Sequence, residues 1–568
     1  MALGRGSAVT SPRLLAHRLV RRSLGGGGSL GEGGRSAAVA VLFIALTIAM
    51  TWPQVSSLST RVHNSDDPLL SIWRVSWIAH ILPRSPLEIF DGNIFYPEKR
   101  TLAYTDAVLL QGATGAPLIW LGVSQVTAYN VLLLLSIALS GWAMWRYALH
   151  LTGSCPAAIL AGIVFAFVPY RFDHYHHLEL QATVFLPLTL LFFDRAIASG
   201  SKRDAWLTMG AFVAQVYSCI YYSIFLATAL IPIAALRLWW SEPAARLAFA
   251  RAIMPAAIVA LVAVSPYAVA YGLNRGSLGE RLDRDILLYS ATLRNYLATP
   301  EGNVIHGGWS RAFGQPERLL FPGVVAVALA IAGLLTIDRQ RVTLLVLGVT
   351  GFIISLGLNS PFYDLLRAVL LPYRGLRAPA RASILLYLAL AALAAFGWAR
   401  LMRDRSRHTT AIATLVIASL LLLEYRTRME EWLTVADSPT QVNRWLAAQP
   451  RSVVAEVPFA QADALHSIYD GLYMFNSTWH WQPIVNGYSG FFPRTFFELA
   501  DNTASFPDER SIAYLKSRGV DLIVVHGTLM EPSVFGEMTA RLIARTDIEA
   551  LAKFEERMGS EVVFRLRR

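Results

Sequence analysis

The chain has 568 residues, of which 54% are hydrophobic and only 16% charged, and it carries a formal net charge of +11. This composition argues against a soluble multidomain enzyme and indicates a polytopic membrane protein. The basic residues do not gather on one polar domain but lie largely between apolar runs, where the positive-inside rule explains them, so we expect no nucleic-acid partner.

Eleven apolar runs approach the roughly 20 residues needed to cross a bilayer. They lie at about 38–58, 126–147, 156–170, 181–197, 205–220, 221–238, 252–271, 319–337, 341–357, 382–400 and 409–425. With the arginine-rich N-terminus inside, the basic connections near Lys202, Arg339 and Arg403 also fall inside, as the positive-inside rule requires. An odd number of spans places the C-terminus outside.

This topology predicts three regions. Residues 1–37 form a basic, flexible cytoplasmic tail, and residues 38–425 form a transmembrane domain. Residues 426–568 form an extracytoplasmic α/β domain, because the short β-rich runs Val453–Val457 and Leu522–Val525 lie there and a short helical pattern precedes the second run. The predicted outer loops are 59–125, 171–180, 272–318 and 358–381.

The segment 107–122 is apolar enough to suggest a twelfth span. Gln111, Gly112 and Pro117 weaken that interpretation, and a span here would invert every later loop. We therefore predict an interfacial helix within the first outer loop.

Two adjacent carboxylates, Asp66 and Asp67, follow the first apolar run. Asp before Pro68 suits the start of a helix, and one carboxylate would be enough to cap it. The second carboxylate has no such explanation, so a catalytic role and a capping role both stay open. Asp106, later in the same aromatic-rich loop, is a candidate for binding a polar ligand, although aromatic residues at this depth also form the usual interfacial belt.

The second outer loop concentrates ionisable side chains. Three histidines, His174, His176 and His177, lie between Asp173 and Glu179. Such oxygen and nitrogen donors can bind a substrate or a divalent cation, with Asp173 and His174 as the candidate ligands. The alternative is a polar turn at the membrane interface, whose amphipathic rings suit that depth.

The fourth outer loop carries arginines where the positive-inside rule gives no reason for them. Arg374, Arg377 and Arg381 precede the tenth span. Guanidinium groups match phosphate oxygens bidentately, so these residues are candidates for binding a lipid phosphate. The alternative is pairing with Asp364 or with acidic residues of the C-terminal domain.

These motifs together resemble the GT-C superfamily of integral-membrane glycosyltransferases, which use polyprenyl-phosphate sugars. The resemblance covers the chain to about Tyr425 and is carried by Asp66–Asp67 after the first span and by the acidic, histidine-bearing second outer loop. It implies a hexosyl- or pentosyltransferase in the plasma (inner) membrane, acting at the extracytoplasmic face on a glycan, lipid or protein acceptor. The histidine-rich loop departs from the Asp-x-Asp pattern of the superfamily, which leaves a metal requirement open.

The resemblance also implies roles for the candidate residues. One of Asp66 and Asp67 would be the general base toward the acceptor hydroxyl or a metal ligand, and the arginine trio would stabilise the leaving lipid phosphate. His174, His177, Glu179 and Asp106 would contact the substrate. Two other classes remain possible from the sequence: a flippase or transporter of lipid-linked glycans, and a non-catalytic envelope assembly protein.

Overall fold

The computed structural model describes residues 31–315, 317–460, 468–556 and 559–567. Most of the tail predicted at 1–37 therefore lies outside the described residues, and the first helix begins at Glu32. The helices of the first half are α1 (Glu32–Met50), α2 (Asp66–Ile81), α3 (Leu109–Trp120), α4 (Gln125–Thr152), α5 (Cys155–Phe167), α6 (Tyr170–Asp173), α7 (Leu178–Gln181), α8 (Phe185–Ser199), α9 (Lys202–Ser218), α10 (Ile220–Trp239) and α11 (Pro243–Leu278).

The second half continues with shorter helices and all but one of the strands. The helices are α12 (Asp283–Leu288), α13 (Gly307–Ser310), α14 (Val324–Leu334), α15 (Arg339–Ser355), α16 (Pro361–Val369), α17 (Ser383–Leu401), α18 (Arg407–Tyr425), α19 (Gln441–Ala447), α20 (Ile468–Ser477), α21 (Arg494–Thr503), α22 (Glu509–Ser517) and α23 (Pro532–Ile543). The strands are β1 (Arg61–His63), β2 (Trp432–Thr434), β3 (Val454–Val457), β4 (Leu522–His526), β5 (Ile548–Glu556) and β6 (Gly559–Leu566).

Eight helical segments within the described residues are long and apolar enough to cross a membrane, judged by length and composition. Two of them, α11 and α18, bury only 17% of their most apolar window inside the protein. Leu261 on α11 is 73% exposed and Leu415 on α18 is 68% exposed. Apolar helix faces of this extent need a lipid environment. The prediction of a helical integral membrane protein is therefore confirmed.

Three of the eleven predicted spans correspond to shorter helices. The runs at 205–220, 319–337 and 341–357 become α9, α14 and α15, and α14 has only 11 residues. At 1.5 Å per residue α14 covers about 17 Å, well short of a 30 Å hydrocarbon core. The number of eleven spans stays a prediction. The helix α3, with 12 residues and Pro117 inside it, is likewise too short to cross, as expected for an interfacial helix.

The C-terminal part contains a four-stranded sheet with the order β3-β4-β6-β5. Strands β3 and β4 are parallel, whereas β6 runs antiparallel to both β4 and β5. The helix α22 precedes β4 and ends before Gly519, whose φ of +75° suits a residue without a side chain. The predicted α/β character of the C-terminal region, with strands at both β-rich runs, is confirmed.

The first outer loop and the C-terminal sheet share one hydrophobic core. Trp73 and Ile78 of α2 belong to the same buried cluster as Tyr473 of α20 and Val524 of β4. The short strands β1 and β2 also pair, with Val62 opposite Leu433. The C-terminal region is thus packed directly on the helix that begins with Asp66 and Asp67.

Candidate active site

The first turn of α2 places Asp67 at the site. Acidic side chains there favour the positive end of the helix dipole, and Pro68 costs no hydrogen bond in a first turn. The residue before the helix, Ser65, makes no side-chain capping bond, and the Asp66 carboxylate accepts a hydrogen bond of 3.0 Å from the Ser65 hydroxyl. Asp67 makes its polar contacts elsewhere, so the capping explanation does not account for it.

A buried ion pair holds the second outer loop against α2. Arg74 lies seven residues after Asp67, about two helical turns, and therefore projects from the same face. Its guanidinium donates to the Glu179 carboxylate at 2.9 Å, and the two side chains are 1% and 8% exposed. Burial of a charged pair is tolerated only with such close hydrogen bonding.

Two further hydrogen bonds fix the backbone between α6 and α7. The Tyr129 hydroxyl donates to the His176 carbonyl at 3.1 Å, and the Gln181 side-chain amide donates to the His174 carbonyl at 2.7 Å. The segment is thus a turn between two one-turn helices rather than one continuous helix. This geometry turns His176 and His177 toward α2.

The two histidines converge on one oxygen of Asp67. Nε2 of His177 lies 3.3 Å and Nε2 of His176 lies 3.8 Å from Asp67 Oδ2. The two rings are tilted neighbours with centroids 4.1 Å apart. The other oxygen, Oδ1, accepts a weak hydrogen bond of 3.5 Å from the Tyr488 hydroxyl.

The protonation of this cluster follows from its burial and charges. Burial alone would raise the pKa of Asp67, but His177, His176 and Arg74 together hold that pKa well below its usual range. Burial lowers the pKa of His176 to about 3, with His177 adding to the effect. Burial would also lower the pKa of His177, but the nearby Asp67 carboxylate has the larger effect and raises that pKa. At neutral pH Asp67 is therefore ionised and His176 is neutral.

The arginines of the fourth outer loop pair with acidic residues of the third. Arg381 donates two hydrogen bonds to Glu317, of 3.1 and 2.7 Å, and Arg377 lies 3.9 Å from the same carboxylate. Arg374 lies 3.4 Å from Glu280. Glu317 is thus the acidic partner of two guanidinium groups and leaves an excess of positive charge beside them. The sequence offered no spacing that singled it out.

A cavity of about 500 Å³ brings these groups together. Asp67, His177 and Tyr488 line one part of it, and Arg377 and Arg381 line another. A further part of the wall is mainly apolar and comes from α9, α10 and α11, including Phe212, Val216, Ile224, Ala227, Val264 and Ala268. A few polar groups facing an apolar wall are typical of a ligand pocket, and here two helices of that wall, α10 and α11, are long and apolar enough to cross a membrane.

Asp106 lines the same cavity but is held by structural partners. It accepts hydrogen bonds from the Ile220 backbone N–H at 2.8 Å and from the Tyr267 hydroxyl at 3.1 Å. Burial raises its pKa to about 7, and the nearby Glu179 carboxylate adds to the rise. Asp106 thus ties the first outer loop to α10 and α11.

The structure brings together most, but not all, of the candidate residues. The cavity is lined by Asp67, Asp106, His177, Glu179, Arg374, Arg377 and Arg381. Asp66 is absent from its lining. His174 is fully buried, packed edge-on against Tyr170, and Asp173 faces a second cavity.

The donors that could hold a cation differ from the predicted pair. Asp67, His176 and His177 offer ligand atoms within 4.8 Å of one another. Among the described residues, they form the group that could hold a metal ion. A carboxylate and two imidazoles suit a divalent transition metal, and the Nε2 atoms of both histidines lie within 3.8 Å of Asp67 Oδ2. Asp173 and His174, the residues suggested by the sequence, lie 3.9 Å apart and have no third donor with them.

Tyr488 is a residue of the site that comes from the C-terminal region. It lies in the loop 487–491, which the C-terminal region places over the cavity. The Arg281 guanidinium holds this loop in place. It donates a hydrogen bond of 2.6 Å to the Gly490 carbonyl, and its central carbon lies 3.3 Å from the centre of the Phe491 ring. The signal in the sequence was an aromatic residue between two glycines, which an ordinary turn explains equally well.

Comparisons with known proteins add a distant likeness. No protein-family model matches the chain, and no curated protein matches it significantly. Among solved structures, the crystal structure of ArnT from Cupriavidus metallidurans in the apo state is similar over 93% of this chain and 98% of that chain, with a TM-score of 0.41 and 13% sequence identity. A likeness of this size assigns no activity.

Proposed function

We propose that the protein is a membrane glycosyltransferase that moves a sugar from a polyprenyl-phosphate donor to an acceptor hydroxyl. The observation that carries the proposal is the single cavity in which Asp67, an arginine cluster and an apolar wall of helices meet. A lipid phosphate sugar has the same three parts: a reacting sugar, an anionic phosphate and an apolar chain.

The apolar wall from α9, α10 and α11 would hold the first part of the polyprenyl chain, because burying such surface gains about 25 cal/mol per Å². Arg377, which is 29% exposed, would contact the phosphate from the rim of the cavity. Arg381 is 7% exposed and fixed by Glu317, so it supplies positive charge from a set position. Both would stabilise the charge that grows on the departing phosphate.

In the transfer step, the bond between the anomeric carbon and the phosphate oxygen breaks, and its electron pair leaves with the lipid phosphate. A bond forms between the anomeric carbon and the acceptor oxygen. The hydroxyl proton passes to the Asp67 carboxylate, which His177 holds in place. Asp67 is a weak base, but the hydroxyl becomes strongly acidic as it attacks an oxocarbenium-like centre. A divalent cation held by Asp67, His176 and His177 would supply further positive charge for the phosphate.

The sidedness of the site also supports the proposal. Its residues come from all four predicted outer loops, for example Asp67, His177, Arg281 and Arg377, and from Tyr488 of the C-terminal region. We therefore place the reaction at the extracytoplasmic face of the plasma membrane.

The two neighbouring carboxylates provide the test. We expect Asp67→Asn to lower transfer of tritiated sugar from a panel of polyprenyl-phosphate hexoses and pentoses by about 100-fold or more, as for loss of a general base. Asp66→Asn is the matched control, because Asp66 does not line the cavity, and it should keep most of the activity. Gel filtration in detergent checks that both variants fold. Full activity of Asp67→Asn, or equal loss in both variants, would refute the assignment.

A further inference from the structure

A second cavity, of about 980 Å³, is lined in part by a member of the same histidine pair as the first. His177 lines the first cavity, whereas its neighbour His176 lines the second. Both Nε2 atoms face Asp67 Oδ2, at 3.3 and 3.8 Å. Asp67 itself lines only the first cavity, and the second cavity reaches the His176 ring, whose Nε2 atom lies 3.8 Å from the carboxylate that the proposed reaction uses.

The second cavity differs from the first in its walls. Its lining comes from 63–64, 172–176, 299–304, 311–315, 319 and 427–431, and most of these side chains are polar. Only Phe172 and Asp173, at the very end of a candidate span, belong to a membrane-crossing helix. A polyprenyl or acyl chain would find no continuous apolar surface there, so a ligand of this cavity must be polar and reach it from water.

Several buried polar atoms around the second cavity lack a partner. Within the described part of the chain, Asp173 Oδ2, His63 Nδ1 and His176 Nδ1 are buried and make no hydrogen bond. Unpaired buried polar atoms are unfavourable in apolar surroundings, so their presence marks this wall of the cavity as a polar environment. Sugar hydroxyls both donate and accept hydrogen bonds and would pair with the acidic, amide and basic side chains of the lining, such as Glu301, Asn303 and Arg311.

We infer that the second cavity binds the acceptor and that the acceptor is a water-borne carbohydrate rather than a lipid-embedded one. The inference rests on the proposed function, because it concerns the other substrate of the same reaction. The acceptor sugar lies among polar side chains and presents one hydroxyl past His176 to Asp67, while the donor sugar reaches Asp67 from the first cavity. Donor and acceptor thus enter by different routes, one from lipid and one from water.

Blocking the second cavity alone tests the inference. In a Cys155→Ser/Cys219→Ser background, Glu430→Cys introduces one thiol at an exposed position of the cavity lining. Envelope membranes are treated with a bulky hydrophilic maleimide and then supplied with the tritiated polyprenyl-phosphate sugars. We expect modification to lower transfer by roughly tenfold or more, since the acceptor can no longer be positioned, and to leave donor binding unchanged. The labelled product should partition into water with the polysaccharide fraction.

Glu537→Cys on α23 is the matched control, since it is exposed and lines neither cavity, and its modification should leave transfer unchanged. Transfer that persists in modified Glu430→Cys, loss of donor binding, or a product extracted into organic solvent would overturn the inference while leaving the proposed function standing. Absence of both donor binding and transfer in the unmodified wild-type protein would overturn the proposed function and the inference with it.

Discussion

Asp66 and Asp67 are neighbours in sequence, yet a helix turns about 100° between them, so they face different surroundings. Asp67 shares a face of α2 with Arg74, two turns later, and that face meets the histidine loop. Asp66 projects away from it and contacts Ser65. The roles of two adjacent carboxylates therefore differ because of helix periodicity, which the sequence motif alone does not reveal.

The buried pair of Arg74 and Glu179 should be important for stability. We expect Arg74→Met to destabilise the protein by about 3–5 kcal/mol, because it leaves the Glu179 carboxylate buried without a counter-charge. The double variant Arg74→Met/Glu179→Leu should recover most of that loss. Thermal unfolding in detergent measures both effects.

An exposed pair serves as the control for this prediction. Lys99 and Asp91 lie 3.4 Å apart, with Lys99 70% exposed, so Lys99→Met should change stability by less than about 1 kcal/mol. If Arg74→Met unfolded at the wild-type temperature, the buried pair would have no structural role.

Residue types near the site could be predicted from the sequence, but their pairings could not. The acid pair, the histidines and the outward arginines each stood out by composition and spacing. Their partners did not: Glu317 and Glu280 belong to a loop without a diagnostic spacing, and they meet the arginines only because two distant outer loops converge. Contacts of this kind depend on helix packing, which local sequence does not encode.

At the scale of elements, three adjacent strands of the C-terminal sheet bury a charged triad. His526 of β4 hydrogen-bonds to Glu456 of β3 at 2.7 Å and to Glu561 of β6 at 2.8 Å, and the ring of Tyr473 stacks on it. Burial alone would lower the pKa of His526, but its bonds to the two carboxylates raise that pKa to about 10. The imidazolium therefore joins strands that would otherwise place two carboxylates close together.

The triad predicts a pH dependence of stability. Because the pKa of His526 is higher in the folded protein than the value of about 6.5 in the unfolded chain, its contribution to stability is fully present below about pH 6.5 and is lost as pH rises toward 10. The thermal midpoint of the wild-type protein should fall by several degrees over this range. His526→Gln should be less stable at pH 6 and should lack that decline.

An exposed histidine tests whether the effect is specific. His408→Gln, at the start of α18, should keep the wild-type decline. An unchanged pH profile in His526→Gln would show that the alkaline loss arises from other groups.

The type of most elements follows from sequence patterns, while their lengths depend on packing. The short helix predicted before the second β-rich run forms at Glu509–Ser517, and the strand predicted at Leu522–Val525 extends one residue further, to His526. Gly519 marks the end of the helix and the β-branched run marks the strand. The second outer loop instead divides into two one-turn helices around the histidines. Its hydrogen bonds go to Tyr129 and Gln181, and no local signal announces them.

At the scale of the whole molecule, the boundary predicted at Tyr425 separates regions that share one core. Val524 and Tyr473 of the C-terminal region pack in the same cluster as Trp73 of the first outer loop. This shared core accounts for the position of Tyr488 over the cavity. The C-terminal region is better understood as part of the site's framework than as an appended domain.

The arrangement of the whole molecule makes a final prediction about sidedness. The charged groups of the cavity come from predicted outer loops and Tyr488 comes from the C-terminal region, so Glu537 should lie outside the cell, and Arg405, in the basic connection before α18, should lie inside. In the background without native cysteines, a membrane-impermeant maleimide added to intact cells should label Glu537→Cys and not Arg405→Cys. Permeabilised cells should show labelling of both, since both positions are exposed. The opposite pattern would place the carboxylate, the histidines and the arginines in the cytoplasm, where the reaction proposed above would have to draw on a different pool of lipid-linked sugars.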